Sequence, residues 1–477
     1  MTKVLFWNIE QFKADRINSS SNKLVPGAGN LTEQEAANQR RSLIYDTLAA
    51  TNPDIIIIIE VLARQDKSSS TALDKGGLAG AVFLLSQLRE GTAPDSVKSS
   101  EWRMVPPLWL KKETIAVLYR GKTGTRKRYF TGPNVWTGGP KGRTLLPEID
   151  TNKGPYGKVT KQGYGEIDFN AMLVPPNTCP RTIPAGAQHN GAGDVFENIV
   201  AGRTELRLDQ NGAPGQEAQF DSTATTPFLA TFTETDDNGA ILRDITIFAV
   251  HLPINENAKV NFIDMLSRTY EILSPPGTRE TRLVGGDFNI PLLDPSGRQT
   301  DVYKPLTDKG YELLLTASGE PPPGVDAYRG YFATHVIKGP VEDPGKWCES
   351  KLLWSTETDP AYYPGYQYIG SQQSASSLDN ILVKPKQQAE SHDYKTTIMN
   401  LVVGTPFNKV DSPPGNPPTG TVSMDAAIGD PPCQWRPWPK APTAPVYSEP
   451  AARDLFSWRN YGKIYGTSDH FAFYADV

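Results

Sequence analysis

Apolar residues in this chain occur in short runs separated by polar and turn-forming residues. The longest run, 55–59, is β-branched and uninterrupted, which is typical of a strand covered on both faces. Comparable runs predict further strands at 1–8, 114–119, 228–233, 245–250, 282–285, 381–383 and 471–474. Apolar residues at helical spacing predict helices at 31–50, 257–273 and 309–318. Strands that alternate with helices and hairpins favour a mixed α/β sandwich over an all-β fold.

Three long connections interrupt these predicted elements, at 121–226, 319–376 and 404–466. None repeats another at a fixed period, so we expect insertions into one core rather than a repeat array. The chain has 477 residues, of which 41 are glycine and 41 are proline. Such a share of turn-forming residues excludes an all-helical bundle.

Neither the apolar runs nor the cysteines indicate a membrane or an oxidising compartment. The longest apolar run is far below the ~18 residues of a membrane-spanning helix, and the apolar stretch near the N-terminus is too short for a signal peptide. The three cysteines show no metal-binding or disulfide spacing, which favours a reducing compartment. We therefore expect a cytoplasmic protein without a transmembrane segment, and the sequence does not predict its oligomeric state.

Charge is distributed unevenly along the chain. The net charge is −5, but thirteen basic and four acidic residues lie between 101 and 163. A loop kept in solution by its charge and a surface that faces a polyanion are equally compatible with this count. Under the second interpretation, the candidate substrate-binding residues are Lys111, Lys112, Arg126, Lys127 and Arg128.

Polar or ionisable residues follow directly on five of the predicted strands. The segments are 7–10, 59–61, 250–253, 285–289 and 468–470. One such segment alone is a weak signal, because an acid after a strand is usually a turn or helix cap. Since strand ends meet at one rim of a sheet, the five together predict a single functional site.

The oxygen-bearing residues of this set predict a hard divalent cation. The candidate metal ligands are Asn8, Glu10, Glu60 and Asp469. Carboxylate and amide oxygens suit Mg²⁺ or Mn²⁺ and not zinc, and a magnesium ion keeps waters that a substrate phosphate can displace. The sequence therefore predicts Mg²⁺, or Mn²⁺, as the cofactor.

Two histidines add acid–base chemistry to the predicted site. His251 and His470 are expected near the carboxylates of Asp287, Asp379 and Asp469, which can orient the rings and stabilise their protonated form. The sequence has no glycine-rich phosphate loop, no serine nucleophile elbow and no cysteine–histidine pairing. These absences disfavour kinase, serine hydrolase and thiol chemistry. Histidines oriented by carboxylates are what phosphoester cleavage by general acid and base requires.

Taken in order, the motifs resemble the endonuclease/exonuclease/phosphatase superfamily, whose fold is that of pancreatic deoxyribonuclease I. The matching segments are 7–10, Glu60, 112–120, His251, 286–289, 377–382 and 468–470. The resemblance implies an α/β four-layer sandwich, in which two mixed β-sheets pack face to face with helices outside. It also implies one active site at the sheet rim and a single catalytic domain over 1–477, with the three insertions.

The resemblance further implies roles for individual residues. Glu113 is implied to orient His251, and Asp379 to support His470. The residues implied to position the nucleophile and the scissile phosphate are Asp287 and Asn289. The metal is implied to be held by Glu60, helped by Asn8, Glu10 and Asp469. Water would attack phosphorus in line, and the sequence leaves open which histidine is the base.

The leading functional hypothesis is a divalent-metal-dependent phosphodiesterase that hydrolyses nucleic acid, with DNA endonuclease activity as its most specific form. The basic segment supports it, together with the aromatic residues Tyr129, Phe130, Trp136 and Tyr156. The alternative is a phospholipid (sphingomyelinase-like) or small phosphoester hydrolase, which would use exposed aromatic residues at a membrane interface. Those aromatic residues are Trp347, Trp354, Tyr362, Tyr363, Tyr366, Tyr368, Trp435 and Trp438. A catalytically inactive binding module is disfavoured, because no motif residue is missing.

Overall fold

Two seven-stranded β-sheets form the centre of the described part of this chain. The structure, a computed structural model, describes residues 1–13, 17, 33–62, 76–105, 113–132, 158–161, 165–168, 206–220, 225–276, 279–294, 296–317, 334–336, 375–385, 394–400, 405–407 and 467–477. No helix within these ranges is long and apolar enough to span a membrane.

Strands and helices are numbered in chain order. The strands are β1 Lys3–Phe12, β2 Ile55–Leu62, β3 Trp102–Met104, β4 Glu113–Arg120, β5 Lys122–Thr123, β6 Arg126–Gly132, β7 Lys158–Lys161, β8 Gly165–Asp168, β9 Arg207–Asp209, β10 Pro214–Glu217, β11 Thr225–Thr235, β12 Ile241–His251, β13 Glu280–Asp287, β14 Glu312–Leu313, β15 His335–Val336, β16 Ala375–Ser376, β17 Asp379–Lys384, β18 Lys395–Asn400, β19 Thr405–Phe407 and β20 Phe473–Asp476. The α-helices are α1 Glu33–Thr51, α2 Gly76–Arg89, α3 Glu256–Leu266, α4 Tyr270–Leu273 and α5 Lys304–Thr307.

Each of the two large sheets contains one parallel pair of strands among antiparallel neighbours. The first sheet has the order β19-β18-β20-β1-β2-β4-β3, and β1 and β2 are parallel in it. The second has the order β14-β17-β13-β12-β11-β6-β5, and β12 and β13 are parallel in it. Both sheets are therefore mixed, as the resemblance implies, and the fold-class prediction is confirmed.

The inner faces of the two sheets share one hydrophobic core. Phe6 of the first sheet packs so closely over Gly285 of the second that a Cβ atom there would lie 2.8 Å from the phenyl ring. Tyr119 and Phe232 also meet across the sheets, with ring centroids 5.1 Å apart. Helix α2 packs on the other face of the first sheet, against β1, β2 and β4. The close approach at Gly285 fixes the separation of the strands that carry the site.

Most predicted elements are present, and three differ from the prediction. The helix predicted at 309–318 is wrong: Gly310 adopts a φ of 85°, and Glu312–Leu313 then pairs with β17 in the second sheet. The single helix predicted at 257–273 is divided into α3 and α4, because the chain turns at Ser267. The sequence does not predict helix α2, since the apolar residues of that helix form no single periodic stripe.

The predicted insertions are only partly within the described residues. Strand β6 belongs to the second sheet, where Phe130 pairs with Phe232. Residues 126–132 are therefore part of the second sheet and not of an insertion that starts at 121. The remainder of the three insertions lies largely outside the described residues, and the single domain over 1–477 stays a prediction.

Candidate active site

The parallel strand pairs of both sheets end at the same rim, and the predicted catalytic and metal-binding residues lie there. In the first sheet, Asn8 on β1 is in register with Ile59, immediately before Glu60. In the second sheet, Asp287 at the end of β13 is in register with His251 on one side and with Asp379 on the other. The adjacent strand ends thus bring side chains that are far apart in sequence into one cluster.

Several residues at this rim have backbone conformations that are unfavourable for residues other than glycine. Glu60 has a φ of 59° and Asn289 a φ of 52°, both in the left-handed region. The ladder between β2 and β4 shifts register between Ile58 and Val61, so a bulge turns the Glu60 side chain toward the rim. At Gly286, φ is 141° and a Cβ atom would lie 2.1 Å from the Val250 carbonyl oxygen. Strain of this kind is typical of functional sites.

Asn8 joins the two sheets at the site. Its Nδ2 donates hydrogen bonds to Glu60 Oε1 and to Asp287 Oδ2, each at 3.0 Å. Its Oδ1 accepts from the backbone N–H of Glu10 at 3.0 Å. The structure therefore places Asn8 as a donor that fixes two carboxylates, whereas a role as metal ligand would need its oxygen. Glu10 follows on the same rim with a partly exposed side chain.

His251 lies among three carboxylates. Its Nδ1 is 3.3 Å from Glu113 Oε2, and its Nε2 is 3.4 Å from Glu60 Oε1 and 3.6 Å from Asp287 Oδ2. Burial lowers the pKa of His251, but the hydrogen bond with Glu113 and the charges of Asp287 and Glu60 outweigh burial and raise it to about 9. The predicted partnership between Glu113 and His251 is thus present in the geometry.

His470 enters the cluster from the opposite side. Its Nδ1 is 2.8 Å from Asp379 Oδ2, and its Nε2 is 3.6 Å from Asp287 Oδ2 and 4.0 Å from Asp469 Oδ1. Burial lowers the pKa of His470, but Asp379 and Asp287 more than offset this and raise it to about 10. Asp287 Oδ2 is therefore equally distant from the Nε2 atoms of both histidines.

The segment that carries His470 is held by the end of β1. The Ser468 hydroxyl donates to the carbonyl oxygen of Asn8 at 2.5 Å and accepts from the backbone N–H of His470 at 2.9 Å. Trp7 Nε1 donates to the carbonyl oxygen of His470 at 3.0 Å. These three bonds are buried, so the position of His470 is coupled to that of Asn8.

Asn289 closes the site on the second sheet. Its backbone N–H donates to Asp287 Oδ1 at 2.8 Å, and its Nδ2 donates to the Leu252 carbonyl oxygen at 2.7 Å. A longer contact of 3.3 Å joins Nδ2 to Asp287 Oδ2. Asn289 thus orients the carboxylate that both histidines face.

His335 also lies at the site, and the sequence does not predict it. It forms an isolated antiparallel bridge with His470, and the two ring centroids are 4.6 Å apart with an interplanar angle of 61°. Burial and the neighbouring His470 lower the pKa of His335 to about 4, against the smaller opposing effect of Asp469. His335 belongs to one of the predicted insertions, and no local motif marks it.

The predicted substrate-binding arginines lie at the other end of the sandwich. Arg128 pairs in register with Glu234 on β11, whereas Thr225, at the start of that strand, is in register with His251. The Arg128 side chain is 1% exposed, and its Nη2 lies 2.5 Å from Glu234 Oε1. This placement corrects the predicted role of Arg128 in substrate binding, because a buried guanidinium paired with a carboxylate cannot contact a polyanion.

Two further residues of that segment are also engaged away from the site. Arg126 Nη1 donates to the Met1 carbonyl oxygen at 3.0 Å, and Lys127 Nζ donates to the Asp237 carbonyl oxygen at 3.2 Å. Phe130 is fully buried in the core and offers no stacking surface. Lys111 and Lys112, and the aromatic residues proposed for the membrane alternative, lie outside the described residues.

An excess of negative charge makes the site suitable for a cation. Five carboxylates surround the two histidines whose pKa values are raised: Glu60, Glu113, Asp287, Asp379 and Asp469. One ligand atom each from Glu60, His251 and Asp287 lies within 4.8 Å of the others, and the same holds for Asp287, Asp379 and His470. The residues present therefore fit a divalent cation.

The solved structures that match this chain are only distantly similar to it in sequence. An endonuclease/exonuclease/phosphatase family protein from Leptotrichia buccalis is 11% identical, with 100% of this chain and 99% of that chain covered and a TM-score of 0.36. D. rerio TDP2 complexed with single strand DNA product is 10% identical, with 99% and 97% covered and a TM-score of 0.37. The human Nocturnin catalytic domain with bound sulfate anion is 14% identical, with 83% and 84% covered and a TM-score of 0.31.

No protein-family model matches this chain, and no curated protein sequence matches it. TM-scores below 0.5 do not support a functional assignment by themselves. The assignment of a function therefore depends on the side-chain geometry of the site.

Proposed function

We propose that this protein is a divalent-metal-dependent phosphodiesterase. One observation carries the proposal: His251 and His470, one beside each sheet, point their Nε2 atoms at the same carboxylate oxygen of Asp287, each at 3.6 Å. Each ring also has a carboxylate partner of its own at Nδ1, Glu113 or Asp379. Two oriented imidazoles on either side of one point suit a reaction that removes a proton on one side and delivers a proton on the other.

In the proposed reaction, water attacks phosphorus and the alkoxide departs in line. One histidine takes the proton of the attacking water, and the other donates a proton to the leaving oxygen. His470 suits the first role because Asp379 fixes its ring and stabilises the imidazolium that forms, and His251 suits the second. Asp287 and Asn289 position the reactants between the two rings.

The metal in this proposal is Mg²⁺ or Mn²⁺, held by Glu60 with help from Glu10 and Asp469, while Asn8 orients the Glu60 carboxylate. When bound, a divalent cation neutralises charge on the phosphate oxygens and offsets the carboxylate charge that raises the two histidine pKa values. The chain's own contribution is to hold these ligands in place, since Asn8 fixes Glu60 and Ser468 fixes the neighbouring Asp469 relative to β1.

Nucleic acid, and DNA first, is the substrate class we propose. The support is the basic composition of 101–163, of which Lys111 and Lys112 directly precede Glu113 at the rim of the first sheet. The second candidate is a phospholipid or small phosphoester, and a specific observation favours it: Arg126, Lys127 and Arg128 do not lie at the site. A substrate without a long polyanionic backbone would not need them.

A substrate panel distinguishes the two candidates. The purified full chain is incubated with supercoiled plasmid, RNA, sphingomyelin vesicles and bis(p-nitrophenyl) phosphate, each with Mg²⁺, Mn²⁺ or EDTA. We expect nicking and linearisation of the plasmid, and EDTA should abolish both. The logarithm of the DNA-binding constant should fall with the logarithm of the salt concentration, with a slope of about −0.9 per duplex phosphate contacted. The variant Lys111→Ala/Lys112→Ala should weaken plasmid cleavage and spare bis(p-nitrophenyl) phosphate, and Lys127→Ala is the matched control.

Two outcomes would change this proposal. Cleavage of sphingomyelin or of small phosphoesters without cleavage of plasmid or RNA would establish the second candidate. An absence of hydrolysis of every phosphodiester, at any concentration of Mg²⁺ or Mn²⁺, would contradict both.

A further inference from the structure

Asp469 lies between two imidazole rings at the exposed side of the site. His335 Nε2 is 3.9 Å from Asp469 Oδ2, and His470 Nε2 is 4.0 Å from Asp469 Oδ1. The antiparallel bridge between His335 and His470 fixes the two backbones side by side. The three side chains therefore form one group. The proposed hydrolysis assigns roles to His470 and Asp469 and gives none to His335.

The geometry of this group is close to that of a metal site. One ligand atom from each of the three residues lies within 4.8 Å of the other two. Bonds of about 2.0–2.2 Å from nitrogen or oxygen to a metal place two ligands about 3–4 Å apart. Each imidazole is already about that far from one oxygen of Asp469: His335 Nε2 is 3.9 Å from Oδ2, and His470 Nε2 is 4.0 Å from Oδ1. The side chains of His335 and Asp469 are 17% and 23% exposed, which leaves room for the small rotation that would bring all three residues onto one ion.

His470 is already oriented as a metal-bound histidine would be. Asp379 contacts its Nδ1 at 2.8 Å, and this leaves Nε2 facing Asp287 Oδ2 at 3.6 Å and Asp469 Oδ1 at 4.0 Å. A carboxylate that accepts a proton from one ring nitrogen, and so fixes the other nitrogen for a metal, is the usual arrangement around histidine ligands.

The donor set selects a different kind of ion from the one proposed for hydrolysis. Two imidazoles and one carboxylate suit zinc and neighbouring transition metals, whereas Mg²⁺ prefers oxygen ligands such as those around Glu60. We propose that His335, Asp469 and His470 form a second metal site, for a Zn²⁺-class ion, and that its occupation inhibits the enzyme. Inhibition follows because the ion occupies His470 Nε2, and this part rests on the proposed function.

Zinc binding tests the site without reference to activity. The full chain is dialysed against buffered Zn²⁺ in the presence of excess Mg²⁺, and bound zinc is measured by elemental analysis. His335→Phe keeps an aromatic ring against His470 and removes the ligand nitrogen. We expect the tightest zinc site of His335→Phe to have an affinity at least about 10-fold lower than that of the wild type. The matched control is Asp308→Asn, which removes an exposed surface carboxylate and should leave the zinc affinity unchanged.

Inhibition is measured on the same proteins. Each variant's hydrolysis in Mg²⁺ is normalised to its own rate without zinc, and the zinc concentration for half inhibition should rise at least about 10-fold in His335→Phe. Equal zinc affinity in the wild type and His335→Phe, or no zinc bound by the wild type, would overturn the site. If His335→Phe does not fold, Asp469→Asn provides the binding comparison. Because dialysis needs no substrate, failure of the proposed hydrolysis would leave the zinc result interpretable.

Discussion

His470 and Asp379 meet across the two sheets, with Nδ1 and Oδ2 2.8 Å apart and both side chains buried. Asp379 begins β17 of the second sheet, whereas His470 precedes β20 of the first. Their contact therefore depends on the packing of one sheet against the other and not on local structure. The orientation of the His470 ring is a consequence of the complete fold.

Removing either member of this pair should reduce turnover while leaving the fold intact. Loss of a general acid or base costs roughly 10²- to 10⁴-fold, so we expect kcat to fall by that factor in His470→Gln. Asp379→Asn keeps the shape and removes the charge that orients and stabilises the imidazolium, and we expect a similar loss. Steady-state kinetics on a small phosphodiester tests both, with circular dichroism as the control for folding.

The two raised histidine pKa values predict a pH dependence of stability in the metal-free protein. The pKa of His251 rises from 6.5 in the unfolded chain to about 9 in the fold. A raised pKa stabilises the fold below pH 6.5, and this contribution disappears as pH rises through 9. It amounts to about 3 kcal/mol, because each tenfold change in proton affinity corresponds to roughly 1.4 kcal/mol.

Thermal unfolding in EDTA between about pH 6 and pH 10 measures this effect. The melting temperature of the wild type should fall across that range more steeply than that of His251→Gln, which cannot ionise there. Parallel curves for the two proteins would show that His251 does not carry the raised pKa.

Glu60 should be required for the effect of the divalent cation. Glu60→Gln retains a hydrogen-bond acceptor for Asn8 but removes the charge that a cation needs, so we expect a large loss of activity that is partly restored at high Mg²⁺ or Mn²⁺. EDTA should abolish activity in the wild type without unfolding it. Activity against metal concentration provides the measurement, and full activity in EDTA would rule out the proposed dependence.

Arg128 should contribute to stability rather than to substrate binding. Its partner Glu234 is buried, and although burial alone raises a carboxyl pKa, Arg128 and Arg243 hold the pKa of Glu234 at about 2. Breaking a buried ion pair from one side costs about 3–5 kcal/mol, so Arg128→Ala should lower the free energy of unfolding by that amount. Urea denaturation measures the free energy of unfolding. Lys127→Ala removes a partly exposed side chain from the same strand and should change the free energy of unfolding little.

The same pair predicts the acid sensitivity of the fold. Because the pKa of Glu234 is lowered, its contribution is present above its unfolded value of about 4.5 and is lost as pH falls toward 2. The stability difference between the wild type and Glu234→Gln should accordingly be largest above about pH 5 and should shrink toward pH 2. A constant difference across this range would contradict the assigned pKa.

The site is more predictable from sequence than its surroundings. Glu60 and Asp287 can be placed because each comes directly after a run of strand-forming residues, and the strands of one sheet end at a common rim. His335 cannot, since it is held at the site by long-range pairing with Ser376 and with His470 that no local pattern encodes. The prediction for Arg128 is wrong because net charge in a segment does not reveal a buried partner, which for Arg128 is Glu234, 106 positions away.

The central proposal is that His251 and His470 act as a pair in phosphodiester hydrolysis. Its most direct test is the rate of bis(p-nitrophenyl) phosphate hydrolysis in Mg²⁺ by the wild type, His251→Gln, His470→Gln and Lys127→Ala. We expect measurable hydrolysis by the wild type and by Lys127→Ala, and roughly 10²- to 10⁴-fold lower rates for each histidine variant. Rates for both histidine variants that remain near the wild-type value, in folded protein, would contradict the proposed site.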